Sequence, residues 1–411
     1  MDIPGAKSAK AMDEGDRISG LDKNLLHHIM SFLPARDAVR TCVLSPRWRH
    51  LWESLQCLNV DAEGFTSQNS FFKFVTALLL SRDGTRPLKS FWLRANGPGI
   101  FLENFHRTAC LWICHALRKS VEELGIIEHD QNDTSGGEEP TVFALHHCPF
   151  TSSYLKKLHL CYVYIDNHVI EKLFSGCPAL EDLEMINCEI VGTEFSSATL
   201  KNLSIDYVGF PDPYENSPDI VIIMPNLVSL HIGSLLCSMP ILVEVQSLAT
   251  ASVYIGHPQK VTFADACGIL GALSNVKNLE LLFPLGMDGE YTLQSDMQLL
   301  QVEFTNLKTL YLSDWCLHDK CKALLYVLAR SPNLEKLTLK LMKLGVYDHR
   351  WWFPSGAVQT DSPSEVMTPF NCEKLKKIEI ICPMGDKGVG ILVAILYDSI
   401  TYPPEINIKP Y

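Results

Sequence analysis

The chain has 411 residues, a formal net charge of −12 and a mean hydropathy near neutral. That length can bury a large core, in one large or two unequal domains. The acidic balance argues against nucleic acid or an anionic membrane as the main partner. No charged-then-apolar N-terminal stretch resembles a signal peptide, and the longest apolar run, residues 389–397, is too short to span a bilayer. The expected location is nuclear, cytoplasmic or both.

Residues 1–15 are small, polar and charged, and read as a disordered tail. Residues 16–52 read as three short helices with two punctuated corners. Leu25, Leu26, Ile29, Met30, Phe32 and Leu33 give the first an apolar face at helical spacing. Asp22 stands at its N-cap and Pro34 stops it. The second carries Ala38, Val39, Cys42 and Val43, with Asp37 in its first turn at the positive end of the helix dipole. Ser45-Pro46 predicts the start of a third, with Trp48, Leu51 and Trp52 on one face. Helices this short need something to pack on, and the apolar residues exceed what one small core can hold.

This segment resembles a plant F-box. The pattern is met by Asp16-Arg17-Ile18-Ser19, Leu25-Leu26, Ile29, Ser31-Phe32-Leu33-Pro34, Asp37-Ala38-Val39-Arg40-Thr41, Val43-Leu44-Ser45 and Arg47-Trp48-Arg49-His50-Leu51-Trp52. The resemblance implies that a Skp-type adaptor, and through it a cullin, are partners. It also implies that Leu21, Leu25, Ile29, Leu33, Pro34, Val39 and Leu44 are the adaptor contacts. The chain departs from the family pattern at Leu21-Asp22, where Leu-Pro is usual, at Asn24, usually acidic, and at Pro46, often basic.

Beyond residue 58 one string recurs, Leu-x-x-Leu-x-Leu with other aliphatics tolerated. Clear copies are Leu155-Leu158-Leu160, Leu180-Leu183-Met185, Leu200-Leu203-Ile205, Leu227-Leu230-Ile232, Val276-Leu279-Leu281, Leu307-Leu310-Leu312, Leu334-Leu337-Leu339 and Leu375-Ile378-Ile380. Weaker ones are Leu88-Phe91-Leu93, Val121-Leu124-Ile126 and Leu248-Ala251-Val253. Spacing from Leu155 to Leu227 is 25, 20 and 27 residues, then widens, as in an irregular leucine-rich-repeat array. The last two aliphatics of each copy fall on one side of a short strand. One strand cannot bury that side, but stacked parallel strands can. Helical runs at 167–174 and 320–328 each meet a proline just before the next strand.

The predicted fold is α/β: an N-terminal three-helix F-box at 16–58, then an irregular leucine-rich-repeat solenoid with a parallel sheet at 59–411. The whole resembles plant F-box/leucine-rich-repeat proteins, including those with an FBD-type C-terminal region, here 304–411. Residues 129–140 and 209–218 read as surface loops, and 345–370 as an insertion that carries Trp351 and Trp352. Alternation turns the intervening strand residues outward. The candidate target-binding residues are therefore Lys157, His159, Asp182, Glu184, His231, Tyr311 and Lys336, with Trp351 and Trp352 as aromatic anchors or inward-packing caps. Charges of both signs alternate along that row and no basic cluster is visible. Such a row suits a protein or peptide, and equally a solvated sheet face.

The fourteen cysteines show no paired framework and read as small apolar residues in a reducing compartment. Cys110, Cys114 and His115, and Cys316, His318 and Cys321, lack the paired Cys-x-x-Cys of a zinc site, so neither a metal nor a cofactor is expected. With no phosphate loop, nucleophile elbow or His-Glu-x-x-His string, an enzyme is not expected either. His27-His28 and His146-His147 read as solvated or core histidines. Two readings follow from different classes: a target-recruiting subunit of an SCF-type E3 ubiquitin ligase, or a ligase-uncoupled repeat scaffold. Leu21-Asp22 and Asn24 sustain the second.

Overall fold

A computed structural model of the chain describes residues 18, 20–95, 103–128, 143–145, 148–206, 220–233, 239–254, 263–282, 302–313, 318–341, 370–386 and 388–411. Two compact units divide it, Met1–Gln131 and Asn132–Tyr411.

The first unit opens with helix α1 (Lys23–Ser31). The Asp22 carboxylate accepts the Asn24 N–H at 3.0 Å and so satisfies one of the free donors of the first turn. Pro34 ends the connection and caps α2 (Ala35–Arg40), with Asp37 in its first turn. A 3-10 turn, Thr41–Val43, follows.

The third predicted helix is not formed. Residues 46–51 are a run of turns that ends in the 3-10 helix Trp52–Ser54. Its bonds reach three residues back: Trp48 N–H to the Ser45 carbonyl at 3.0 Å, then Leu51 to Trp48 and Ser54 to Leu51, both at 3.2 Å. A period of three aligns Trp48 and Leu51 better than an α-helix would, and both are buried, while Trp52 is half-buried. His27 Nε2 lies 3.0 Å from the Ser54 hydroxyl and ties α1 to this turn. Burial, then the nearby Lys23 ammonium, pushes the His27 pKa down.

Three parallel strands complete this unit: β1 (Cys57–Asp61), β2 (Ser90–Arg94) and β3 (Glu123–Ile127). Leu58, Phe91 and Leu124 share one register row, and Val60, Leu93 and Ile126 another. Between them run α3 (Gln68–Ser81) and α4 (Glu103–Arg118), which meet through Phe71 and Trp112, edge to face at 5.8 Å. On the outward side Trp92 lies against Gly125, where a Cβ would stand 2.1 Å from the indole. Arg94 covers the Trp92 ring at 5.4 Å.

The second unit is a parallel ladder of β4 (Lys157–Cys161), β5 (Asp182–Ile186), β6 (Asn202–Asp206), β7 (Ser229–Ile232), β8 (Thr250–Tyr254), β9 (Asn278–Leu282), β10 (Thr309–Ser313), β11 (Lys336–Lys340), β12 (Lys377–Cys382) and β13 (Glu405–Pro410). Its register is unbroken. One inward row runs Leu158, Leu183, Leu203, Leu230, Ala251, Leu279, Leu310, Leu337, Ile378 and Ile406. The leading aliphatics, from Leu155 to Leu375, are buried under the strand starts. Fully burying each such leucine stabilises by about 1.5–3 kcal/mol.

The return segments differ from unit to unit. Some are helices: α5 (Asn167–Gly176), α6 (Phe263–Ala272), α7 (His318–Ala329) and α8 (Gly388–Ser399). Others are short strands, which form two small parallel sheets. That mixture accounts for the uneven spacing of the repeat.

The packing reading of the cysteines holds for the buried thiols Cys177, Cys188, Cys321 and Cys372, which burial pushes up to about 11, 12, 12 and 11. Thiols so shifted stay protonated at neutral pH and are poor nucleophiles. Cys110 and Cys148 depart from it and are disulfide-bonded.

At the end of α5 the chain passes close to a neighbour. Ser152 donates its N–H to the Gly176 carbonyl at 2.9 Å, and a Cβ at 176 would stand 1.9 Å from the Phe150 carbonyl oxygen. Backbone cannot swing aside as a side chain can. Gly176→Ala is therefore expected to cost about 2 kcal/mol, read as a lower denaturant midpoint. An unchanged midpoint would contradict this packing.

Candidate functional site

Two surfaces stand out, one in each unit. In the first, α1 carries two apolar stripes side by side. Leu26 and Met30, four residues apart, are fully buried. Leu25 and Ile29 repeat that spacing one position earlier, yet are 47% and 39% exposed. Phe32 extends this outer stripe at helical spacing and is 72% exposed, and Val43 and Leu44, which follow α2, are 83% and 63% exposed. Large aliphatic and aromatic side chains left in water make this a candidate interaction surface. Of the expected adaptor contacts, Leu25, Ile29 and Leu44 are exposed, and Leu21, Leu33, Pro34 and Val39 are half-buried beside them. Phe32 and Val43, more exposed than any of these, were not among the contacts that the family resemblance implied.

The Leu21-Asp22 departure has a local structural role. Arg47 Nη2 donates to the Leu21 carbonyl at 2.5 Å while Asp22 caps α1. Neither contact removes apolar surface from the outer stripe. His28 is exposed and meets Phe32 edge-on at 4.9 Å.

In the second unit, the outward positions of the ladder form cross-strand pairs. Lys157 reaches Asp182 at 3.6 Å, and Asn202 donates to the other oxygen of that carboxylate. His159 Nδ1 lies 2.7 Å from Glu184 Oε2. Thr309 donates to Asn278 at 2.7 Å, and Asn278 to Thr250 at 3.3 Å. His231 and Tyr311 are half-buried in the same face. Trp351 and Trp352 lie outside the described residues.

The face also holds a basic cluster that alternation along single strands conceals. Glu379 on β12 has a side chain only 7% exposed, and three lysines converge on it: Lys336 from β11 at 2.6 Å, Lys409 from β13 at 2.8 Å and Lys377 at 2.9 Å. These hydrogen bonds, Lys336's first, hold the Glu379 carboxyl well below the usual carboxylate range. Lys340 stands exposed on β11. The cluster was illegible in the sequence because its members lie on three strands, and β13 lacks the leading leucine, with Pro403 in its place.

Among the described residues, no group of three or more His, Cys, Asp or Glu is placed to hold a metal ion, and no helix is long and apolar enough to cross a membrane.

The chain matches the F-box domain family over residues 18–59, and the family described as At1g61320/AtMIF1, LRR domain, over 142–397. It is 28% identical over 377 residues to F-box/LRR-repeat protein At3g58940 of Arabidopsis thaliana, a match covering 81% of this chain and 56% of that protein. It is 26% identical over 346 residues to F-box/FBD/LRR-repeat protein At1g13570 of the same organism, covering 78% and 75%. To the Arabidopsis FBD-associated F-box protein At1g66310 it is 28% identical over 383 residues, covering 82% and 80%. This chain thus spans little more than half the length of the first of these relatives.

A carboxylate with a depressed folded pKa stabilises fully above its unfolded value and loses that contribution as pH falls through the folded one. Glu379→Gln should therefore lower the melting temperature at pH 7. The gap should narrow as pH falls below the ordinary glutamate value of 4.5. Melts at pH 7 and pH 3 check this, and a gap independent of pH would contradict it.

Proposed function

This chain belongs to the plant F-box/leucine-rich-repeat family, and from that we propose that it is the target-recognition subunit of an SCF-type E3 ubiquitin ligase. The observation that carries the reading is the second apolar stripe of α1. A helix needs one stripe to pack on its own domain. A second, left in water and continued by Phe32, calls for a partner with an apolar groove. A Skp-type adaptor would cover Leu21, Leu25, Ile29, Leu33, Pro34, Val39 and Leu44 together with Phe32 and Val43, and would link the chain to a cullin. The repeat unit would hold a target protein on its outward strand face.

The chain itself would do no bond chemistry. By holding adaptor and target at once it raises the effective concentration of target lysines at a ubiquitin-loaded enzyme. The proposed setting is nuclear or cytoplasmic. The reading as an uncoupled scaffold draws on Leu21-Asp22 and Asn24. Support for coupling comes from Asp22, which supplies the cap of α1 and leaves the outer stripe intact.

Leu33→Arg would drive a charge into an apolar contact and is expected to abolish co-purification of the full chain with a Skp adaptor. Phe32→Asp should weaken it at least tenfold, roughly the loss from burying an unpaired charge. Circular dichroism should be unchanged in both. Wild-type binding by both folded variants would sink the contact assignment.

A further inference from the structure

The outward charges of the repeat ladder are polarised. On the three strands β4 to β6 the outward positions carry Lys157 against Asp182, Glu184 and Asp206. One cation and three anions leave −2, with His159 counted neutral. On β11 to β13 they carry Lys336, Lys340, Lys377 and Lys409 against Glu379 and Glu405. Four cations and two anions leave +2, in a chain whose net charge is −12.

The positive end is also organised for recognition. Each lysine ammonium has three N–H donors. Lys336, Lys377 and Lys409 donate to Glu379, whose side chain is nearly out of water, while their own side chains stay 44%, 39% and 55% exposed. Each therefore has donors left over. Glu379 holds three flexible side chains in one place, which lowers the entropy cost of meeting a further anion. The set spans three strands, about 10 Å across at ordinary strand spacing, a width that suits a short extended segment.

We propose that the lysine end of this face, formed by Lys336, Lys340, Lys377 and Lys409 around Glu379, binds a stretch of the target protein rich in aspartate and glutamate. The proposal rests on the target-recognition reading and names the chemistry of what is recognised. The opposite, acidic end repels the same stretch, so the field orients the target along the ladder as well as attracting it.

Fluorescence anisotropy of a short fluorescein-labelled Asp/Glu-rich peptide with the full chain tests this. Saturable binding that weakens with salt is expected. Lys340→Glu lies outside the Glu379 cluster, so it should keep the fold, and it should weaken binding roughly tenfold. Lys201→Glu, at the other end of the unit, should leave binding unchanged. Equal loss in both variants, no binding, or binding only of a phosphoserine peptide would each overturn the proposal. Adaptor co-purification in the same preparations separates the two readings. Peptide binding absent with adaptor binding intact removes this inference alone. Adaptor binding absent with peptide binding intact removes the ligase reading and leaves the face.

Discussion

Each strand of the ladder presents two aliphatic side chains to one side, more than it can cover alone, so everything else in the repeat unit depends on parallel neighbours lying in register. Leu337 and Leu339 are buried because Leu310 and Leu312 lie on one flank and Ile378 and Ile380 on the other. The same period of two that builds this interior fixes what faces out. A slip of one residue would exchange the faces, turning Glu379 inward among aliphatics and Ile378 into water. The hydrophobic constraint therefore sets the outward surface: Lys336, Glu379 and Lys409 meet because the leucines and isoleucines beside them must.

The F-box follows the opposite economy. Its helices are too short to stand alone, and α1 satisfies its own domain with Leu26 and Met30. Leu25 and Ile29 are surplus to that core, and Val43 and Leu44, at the 3-10 turn Thr41–Val43 and just after it, are exposed as well. The polar ends are settled locally, by Asp22 at the cap of α1 and by Arg36, whose guanidinium bonds the Gly64 carbonyl and lies 4.7 Å from the Phe65 ring. An apolar surface framed by satisfied polar groups suits a second protein better than solvent.

Much of the ladder was legible because Leu-x-x-Leu-x-Leu states both the strand and the side it buries. Even the weak copies at Leu88, Val121 and Leu248 mark strands. The strands at the extremes were not legible. Cys57–Asp61 straddles the expected boundary at residue 58, so Leu55, Leu58 and Val60 were not recognised as a copy of the repeat, and Glu405–Pro410 has Pro403 where the leading leucine should stand. The third F-box helix failed for a backbone reason: Ser45-Pro46 is a good helix start, but the bonds that follow reach back three residues and place Trp48 over Leu51. The lysine cluster lay beyond sequence reading because Lys336, Lys377 and Lys409 are neighbours only through register. The exposure of Phe32 and Val43 lay beyond sequence reading too, because spacing alone cannot say which apolar residues a small domain will bury.

Hydrogen–deuterium exchange of the full chain, free and with a Skp adaptor, tests the separation of the two surfaces most directly. Adaptor-dependent protection of α1 and of residues 41–44, with the amides of β11 to β13 unchanged, is the expected result. Protection of the repeat strands with α1 unaffected would mean that the adaptor sits on the face assigned to the target, and would contradict the division of roles between α1 and the ladder.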